Sequence, residues 1–462
     1  MPDERDRPPA GPFTIRGAVM HTPCLGGLER HQDAALEVAA DGAVAALHPA
    51  GSEGFAAAVA AAARAGTLLA LSPAHTLIPG FVDLHVHAPQ WPQAGRALDL
   101  PLERWLQQYT FPLESRYADL DFARAVYDDL VGCLLANGTT SAVYFATIHE
   151  APSLELARVC LRAGQRAFVG LVAMDDAAEC PDFYRNADAA QAIAATRRHI
   201  DGVRDLPGNE AGLVRPIITP RFIPACTDAL LHGLGRLAQE TGCLVQTHCS
   251  ESDWEHGFVA ARTGRSDTAS LDGFGLLRRH SILAHGNLIG DDDMDLIAGS
   301  GAAIAHCPIS NVFFSDAVFP LHKALQRGLL VGLGTDLAGG YSPSVLDNAR
   351  QAVLSARLLA SGVDPDRDRS MRGQGDAARI GFREAFWLAT AGGGDALGLP
   401  VGRFTQGSRF DAILLDADAP GSNIRLHPGE SDDDRLQALF GATRANMAGV
   451  WVDGRRVAGT RA

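Results

Sequence analysis

Over most of its length the chain alternates short apolar runs with longer stretches in which apolar positions recur every three or four residues. The short runs read as buried strands: Leu77 to His85, Thr140 to Phe145, Ala167 to Met174, Val214 to Arg221, Cys243 to His248, Ser281 to His285, Ala302 to His306 and Val331 to Asp336. Between them the period is helical, as in Phe122 to Asn137, Ala189 to Val203, Thr227 to Glu240 and Val345 to Ala360. A strand with no polar alternation is buried on both faces, and helices on either side of a parallel sheet are what bury it.

Strand followed by helix eight times over fits a (β/α)8 barrel, and a doubly wound open sheet gives a similar rhythm. The polar residues favour the barrel. Several strands end in a side chain able to bind a metal or carry chemistry, and a barrel gathers such ends on one face. The chain ends read differently. Phe13 to His21 and Ala35 to Leu47 are β-like and precede a helical Ala-rich stretch from Glu53 to Ala65. Phe410 to Leu415 and Gly449 to Val457 read as strands with no helix between them. The expected fold is therefore an α/β (β/α)8 TIM barrel over residues 76–398, beside a small β-sandwich built from residues 1–75 and 399–462.

Composition narrows the function classes. The net charge of −14 disfavours unspecific binding to nucleic acid or to an anionic membrane surface, so neither is an expected partner. Residues 1–11 are charged and Pro-rich, without an apolar core for a signal peptide. The apolar run from Phe55 to Leu71 is interrupted by Arg64 and is too short to span a bilayer. Eight scattered cysteines with no Cys-x-x-Cys pair suit a reducing, cytoplasmic location. Lys323 is the only lysine, which codon bias alone would explain.

The densest chemistry lies in Pro79-Gly80-Phe81-Val82-Asp83-Leu84-His85-Val86-His87. Alternation along a strand puts His85 and His87 on one face, where two imidazoles can share an ion. By itself a His-x-His pair is as easily structural. Three further strand ends change the balance: His248 with Glu251 after the fifth strand, His285 at the sixth, and Asp336 at the eighth. Each alone could be a satisfied core histidine or a helix-capping aspartate. Together they offer imidazole nitrogens and one carboxylate, a donor set suited to zinc.

With these residues the chain resembles the amidohydrolase superfamily from Ile78 to Val457. Its loops are similar to those of the guanine deaminase family: Ala88-Pro89-Gln90-Trp91, Leu100 to Leu106, Tyr109-Thr110-Phe111-Pro112, Tyr144 to His149, Thr219-Pro220-Arg221-Phe222, Ile304 to Pro308 and Thr335 to Ser342. The resemblance implies the barrel, the chain-end sandwich, a metal-activated water, and hydrolytic loss of ammonia from guanine to give xanthine in purine catabolism. It implies one Zn2+ per subunit on His85, His87, His248 and Asp336. Superfamily members with two metals bridge them through a carboxylated lysine on the fourth strand; Lys323 lies between the seventh and eighth, which leaves a mononuclear site.

The same resemblance gives the remaining roles. Glu251 is general acid and base, Asp336 takes the proton of the water, and His285 holds that water or its aspartate partner, as an outer residue or a fifth ligand. Arg221 contacts a purine carbonyl, Phe222 packs on the ring and Gln90 bonds its edge, with His87, His248, Glu251 and Asp336 also facing substrate. Read without the family, Arg221 is rather a surface ion pair and Phe222 a core aromatic. His149, His306, Cys249 and Cys307 are expected to be packing residues. A small purine and a second copy of the chain, in a homodimer, are the implied partners.

The segment Gly441 to Met447 lacks the Gly-Asp-Asp-Arg-Asn usual in that family, and Ile309 with Val312-Phe313-Phe314 departs after the seventh strand. Two other readings share part of this pattern. A related amidohydrolase for 8-oxoguanine, a pterin or a triazine would keep the metal residues and differ around Gln90, Arg221 and Phe222. A non-catalytic assembly protein would have lost ligands, and here every expected ligand and Glu251 are present.

Overall fold

The structure is a computed structural model that describes residues 11–459, so the reading of residues 1–10 lies outside it. Eight strands neighbour one another in chain order: β1 (Phe81–His87), β2 (Thr139–Phe145), β3 (Arg166–Gly170), β4 (Val214–Pro220), β5 (Leu244–Cys249), β6 (Ile282–His285), β7 (Ala303–His306) and β8 (Leu330–Leu333). Registered pairs such as His248 opposite Ala284 and Ala305 opposite Gly332 are parallel. The ring closes where the chain leaves β8: the Asp336 amide donates to the His85 carbonyl at 2.8 Å and the His87 amide to the Leu337 carbonyl at 2.9 Å. This is the expected barrel, and its strands are buried along their whole length at β1 and β2.

The strand expected over Leu77 to His85 is two strands. His75–Pro79 pairs antiparallel with Ala412–Asp416, and β1 begins only at Phe81. Gly80 between them has no room for a side chain, since a Cβ there would run into Thr140. The expected strand Ala167 to Met174 is also divided, with Val172–Ala173 pairing separately against β4.

Both chain ends enter one eight-stranded sheet, in the order Arg455–Ala458, Met447–Val452, Ala412–Asp416, His75–Pro79, Phe13–His21, Glu29–Val38, Val44–Pro49, with Leu68–Ala70 added beside Phe13–His21. Its inner side chains share one apolar core, in which Phe13 meets Phe410 edge-on at 5.6 Å and Phe410 meets Trp451 at 6.2 Å. Ala35 to Leu47, expected as one stretch, is a pair of strands joined through Asp41-Gly42, where Gly42 adopts a φ of 81°. Asp453-Gly454, both left-handed at φ 51° and 75°, turn the final hairpin. Glu53–Ala65 is helical as expected and stops at Gly66.

The C-terminal strands do have a helix between them, Asp432–Leu439, contrary to the expectation. It has few apolar positions, and its start rests on a cap: the Asp434 amide donates to Ser431 Oγ at 3.1 Å. Contacts divide the chain into two compact units, one of residues 83–131 and 142–380, the other of residues up to Val82 together with 132–141 and those from Gly381 onward. No helix among the described residues is long and apolar enough to cross a membrane.

Candidate active site

Strands β1, β5, β6 and the exit of β8 bring His85, His87, His248, His285, Glu251 and Asp336 together. His85, His87 and Asp336 have ligating atoms within 4.8 Å of one another, and so do His85, His248 and His285. His85 Nε2 lies 3.1 Å from Asp336 Oδ1, and His87 Nε2 lies 3.0 Å from His248 Nε2. The local backbone is shaped for this. Ser250, His285 and Asp336 all adopt left-handed conformations, at φ 49°, 74° and 47°. Such positions cost roughly 1–3 kcal/mol each and are typical of functional sites. Gly334 and Gly339 leave the space: a Cβ on the first would sit 2.8 Å from that of His85, and on the second 2.7 Å from Asp336 Oδ2.

Neighbouring groups fix which nitrogens face the cluster. His248 Nδ1 lies 2.6 Å from the Arg221 carbonyl, so it carries the hydrogen and leaves the Nε2 lone pair inward. His285 Nδ1 does the same against Asn311 Oδ1 at 2.9 Å. Beneath them, buried Asp83 accepts from the His85 amide at 3.2 Å, the Thr335 amide at 2.9 Å and the Thr335 hydroxyl at 2.6 Å, tying β1 to the exit of β8.

Burial, together with the neighbouring basic groups, pushes His85, His87 and His248 well below the ordinary histidine range. They are neutral imidazoles, the form that ligates. Burial and then Asp336 push the Glu251 carboxyl well up, so it is ready to hold a proton. His85 Nε2 and His285 Nε2 are buried with no hydrogen-bond partner. An ion between these nitrogens and Asp336 would satisfy groups that otherwise stay desolvated and unpaired, and the donor set suits zinc.

A pocket with about 380 Å³ of empty space adjoins the cluster, lined by His87, Gln90, Arg221, Phe222, His248, Glu251 and Asp336 among others. Every expected substrate-facing residue is therefore in one place. Arg221 is buried, not a surface group, and its partner is Glu114, at 2.7 Å and 3.1 Å through two guanidinium nitrogens. Although burial pushes the Arg221 guanidinium down, the carboxylate of Glu114 holds it above its ordinary value. Glu114 also accepts from Gln90 Nε2 at 2.9 Å. Phe222 lies 5.9 Å from the Trp254 ring and 6.1 Å from His248.

Sequence reasoning passed over Glu114, Asp83 and Asn311. The signal for Glu114 was arithmetic: a buried arginine needs a counter-charge, and the loop motif continues through Leu113 to Glu114. His149 precedes the helix Glu150–Ala163 with its ring 5.9 Å from that of Tyr184, and buried His306, pushed down to about 3 by burial, packs on Phe319; neither lines the pocket. Cys249 and Cys307 are buried. Lys323 pairs with Asp291 on the outside.

A barrel whose strand ends hold imidazoles and a carboxylate defines a class of metal-dependent hydrolases, and the sequence profile of the amidohydrolase family matches residues 76–457. Guanine deaminase from Homo sapiens is 37% identical over 396 residues, 84% of each chain. That from Dictyostelium discoideum is 37% identical over 386 residues, 82% of each chain. Among solved structures, guanine deaminase from C. acetobutylicum with bound guanine in the active site superposes with a TM-score of 0.84 at 28% identity, covering 96% of this chain and all (100%) of that one. The chain belongs to the amidohydrolase family and, within it, to the guanine deaminases. It is thus a hydrolase that acts on C–N bonds.

Proposed function

We propose that the protein hydrolyses guanine to xanthine and ammonia, using one zinc ion per subunit held by His85, His87, His248 and Asp336. The observation that carries this reading is a neutral imidazole cluster opening onto one pocket with a buried acid, Glu251, and a fixed Arg–Gln pair. Zinc held there would bring the pKa of water down to about 7 and so provide a nucleophile at neutral pH.

The side chains carry the rest. Asp336 takes the proton from the attacking water, and Glu251 delivers one to the ring nitrogen beside the attacked carbon. The amino group then leaves as ammonia with a proton returned through Glu251. His285, held by Asn311, orients the water or its aspartate partner. Phe222 walls the ring on one side, while Arg221 and Gln90 face its polar edge. This assigns chemistry to the barrel, residues 76–398, and a supporting role to the sheet from residues 1–75 and 399–462. A cytoplasmic homodimer belongs to the same reading, in keeping with eight free thiols; size-exclusion chromatography with light scattering checks its mass.

The test is ammonia release from zinc-loaded protein given guanine, 8-oxoguanine, adenine, cytosine or a pterin. Release from guanine, abolished by a chelator, is the expected result. Release from another ring alone would keep the mechanism and overturn the substrate.

A further inference from the structure

Glu114 touches no ligating atom and stands behind the pocket wall, yet it binds both side chains that face the polar edge of a ring. Its two oxygens accept from Arg221 Nη1 at 2.7 Å and Nη2 at 3.1 Å, and one of them also accepts from Gln90 Nε2 at 2.9 Å. Glu114 itself is fully buried, and Arg221 nearly so. A two-pronged guanidinium bond requires an ionised carboxylate, which has no hydrogen to give. Gln90 must therefore present its amide N–H to Glu114, and its carbonyl oxygen is turned away. That oxygen is buried without a hydrogen-bond partner on a residue that lines the pocket. Arg221 is likewise left with only its outer N–H groups for a ligand, in a plane that Glu114 sets.

We propose that Glu114 is a positioning residue that fixes the hydrogen-bond polarity of the pocket, with Arg221 as donor beside Gln90 as acceptor, and so selects rings that carry a carbonyl next to a ring N–H. This rests on the guanine reading and deepens it. Guanine has that edge, with its six-position oxygen beside a protonated ring nitrogen. In 2,6-diaminopurine the same edge is reversed, an amino group beside an unprotonated nitrogen, while the amino group to be removed is unchanged. The ion pair also leaves the wall neutral overall, which suits an uncharged base.

The experiment compares kcat/KM for guanine and 2,6-diaminopurine in zinc-loaded wild type and Glu114→Gln, with zinc content and melting temperature as controls. A site built around hydrogen-bond polarity discriminates by roughly 10⁴-fold, so the wild type should favour guanine on that scale. The amide of Glu114→Gln can donate as well as accept, which frees Gln90 to turn over, and the ratio should shrink by about 10²-fold. Equal losses on both rings would make Glu114 merely structural and overturn the proposal. Should Glu114→Gln fail to fold, Gln90→Leu decides: it should lower guanine turnover while leaving 2,6-diaminopurine level or faster, and an unchanged ratio would overturn the proposal. Wild-type silence on both rings would overturn the guanine reading itself, and the proposal with it.

Discussion

The barrel mouth and the chain-end sheet solve opposite problems. In the sheet, Phe13, Ile15, Leu36, Leu77, Phe410 and Trp451 bury apolar surface against one another, and the tight turn at Asp453-Gly454 uses residues that accept left-handed backbone. At the mouth, buried His85 and His285 keep nitrogens without partners, Glu251 sits desolvated near Asp336, and three non-glycine residues hold left-handed conformations. The sheet is a place where local preference and packing agree. The mouth is a place where they disagree, held by surrounding staples such as Asp83 and Asn311. Buried unpaired atoms such as those of Thr22 and Trp387 also occur elsewhere; what marks the mouth is that its unpaired nitrogens, on His85 and His285, gather with Asp336 in one cluster.

That contrast can be broken from either side. The largest expected effect is on turnover: Glu251→Gln should lower kcat by about 10²–10⁴-fold with zinc content and melting temperature held. Steady-state assays with metal analysis check this, and undiminished kcat would remove Glu251 from the chemistry. Phe410→Ala should do the reverse, costing about 3–5 kcal/mol in stability with kcat per folded molecule unchanged. Urea denaturation followed by activity normalised to folded protein measures both. Arg221→Ala belongs to both sides, because it strands Glu114 as an unpaired buried charge. It should cost about 3–5 kcal/mol and weaken guanine use far more than zinc content; loss of zinc instead would make Arg221 a prop for His248.

Smaller effects sharpen the comparison. His199 in the barrel unit places Nε2 3.0 Å from the Val169 carbonyl and leaves Nδ1 buried without a partner. Burial pushes it below the ordinary value, so the folded state prefers the neutral ring. The unfolded chain therefore binds the extra proton, and stability should fall as pH drops below about 6.5. Wild type should lose more melting temperature between pH 7.5 and pH 5.5 than His199→Gln does; equal losses would exonerate His199. At the end of the scale, Ser431→Ala should cost about 0.5–2 kcal/mol through the lost helix cap, read by chemical denaturation.

Legibility in the sequence follows the range of the forces involved. The barrel strands are runs of apolar residues with helical periods between them, and each needs only its own neighbourhood to declare itself. The helix Asp432–Leu439 was missed because it rests on a cap and bears few apolar positions, so its period is faint. Leu77 to His85 reads as one strand because apolar residues lie on both sides of Pro79-Gly80; the two strands part at that pair, and Thr140, distant in sequence, leaves no room for a side chain at Gly80. The candidate ligands are legible as strand-end residues through strand alternation and spacing, and the barrel brings them within reach of one another.

By itself, then, the sequence determined the alternation of elements and the candidate set His85, His87, His248, His285, Glu251 and Asp336, since period and spacing are properties of a local segment, and the likeness of its motifs to a known family supplied the roles. The tertiary structure decided what those groups experience. It set which nitrogen of His248 and His285 faces inward, how far burial moves the Glu251 carboxyl, and that Arg221 answers to Glu114 rather than to solvent. Orientation, desolvation and counter-charge depend on residues far apart in the chain, such as Glu114 and Arg221, and exist only once folding has brought them within hydrogen-bonding distance.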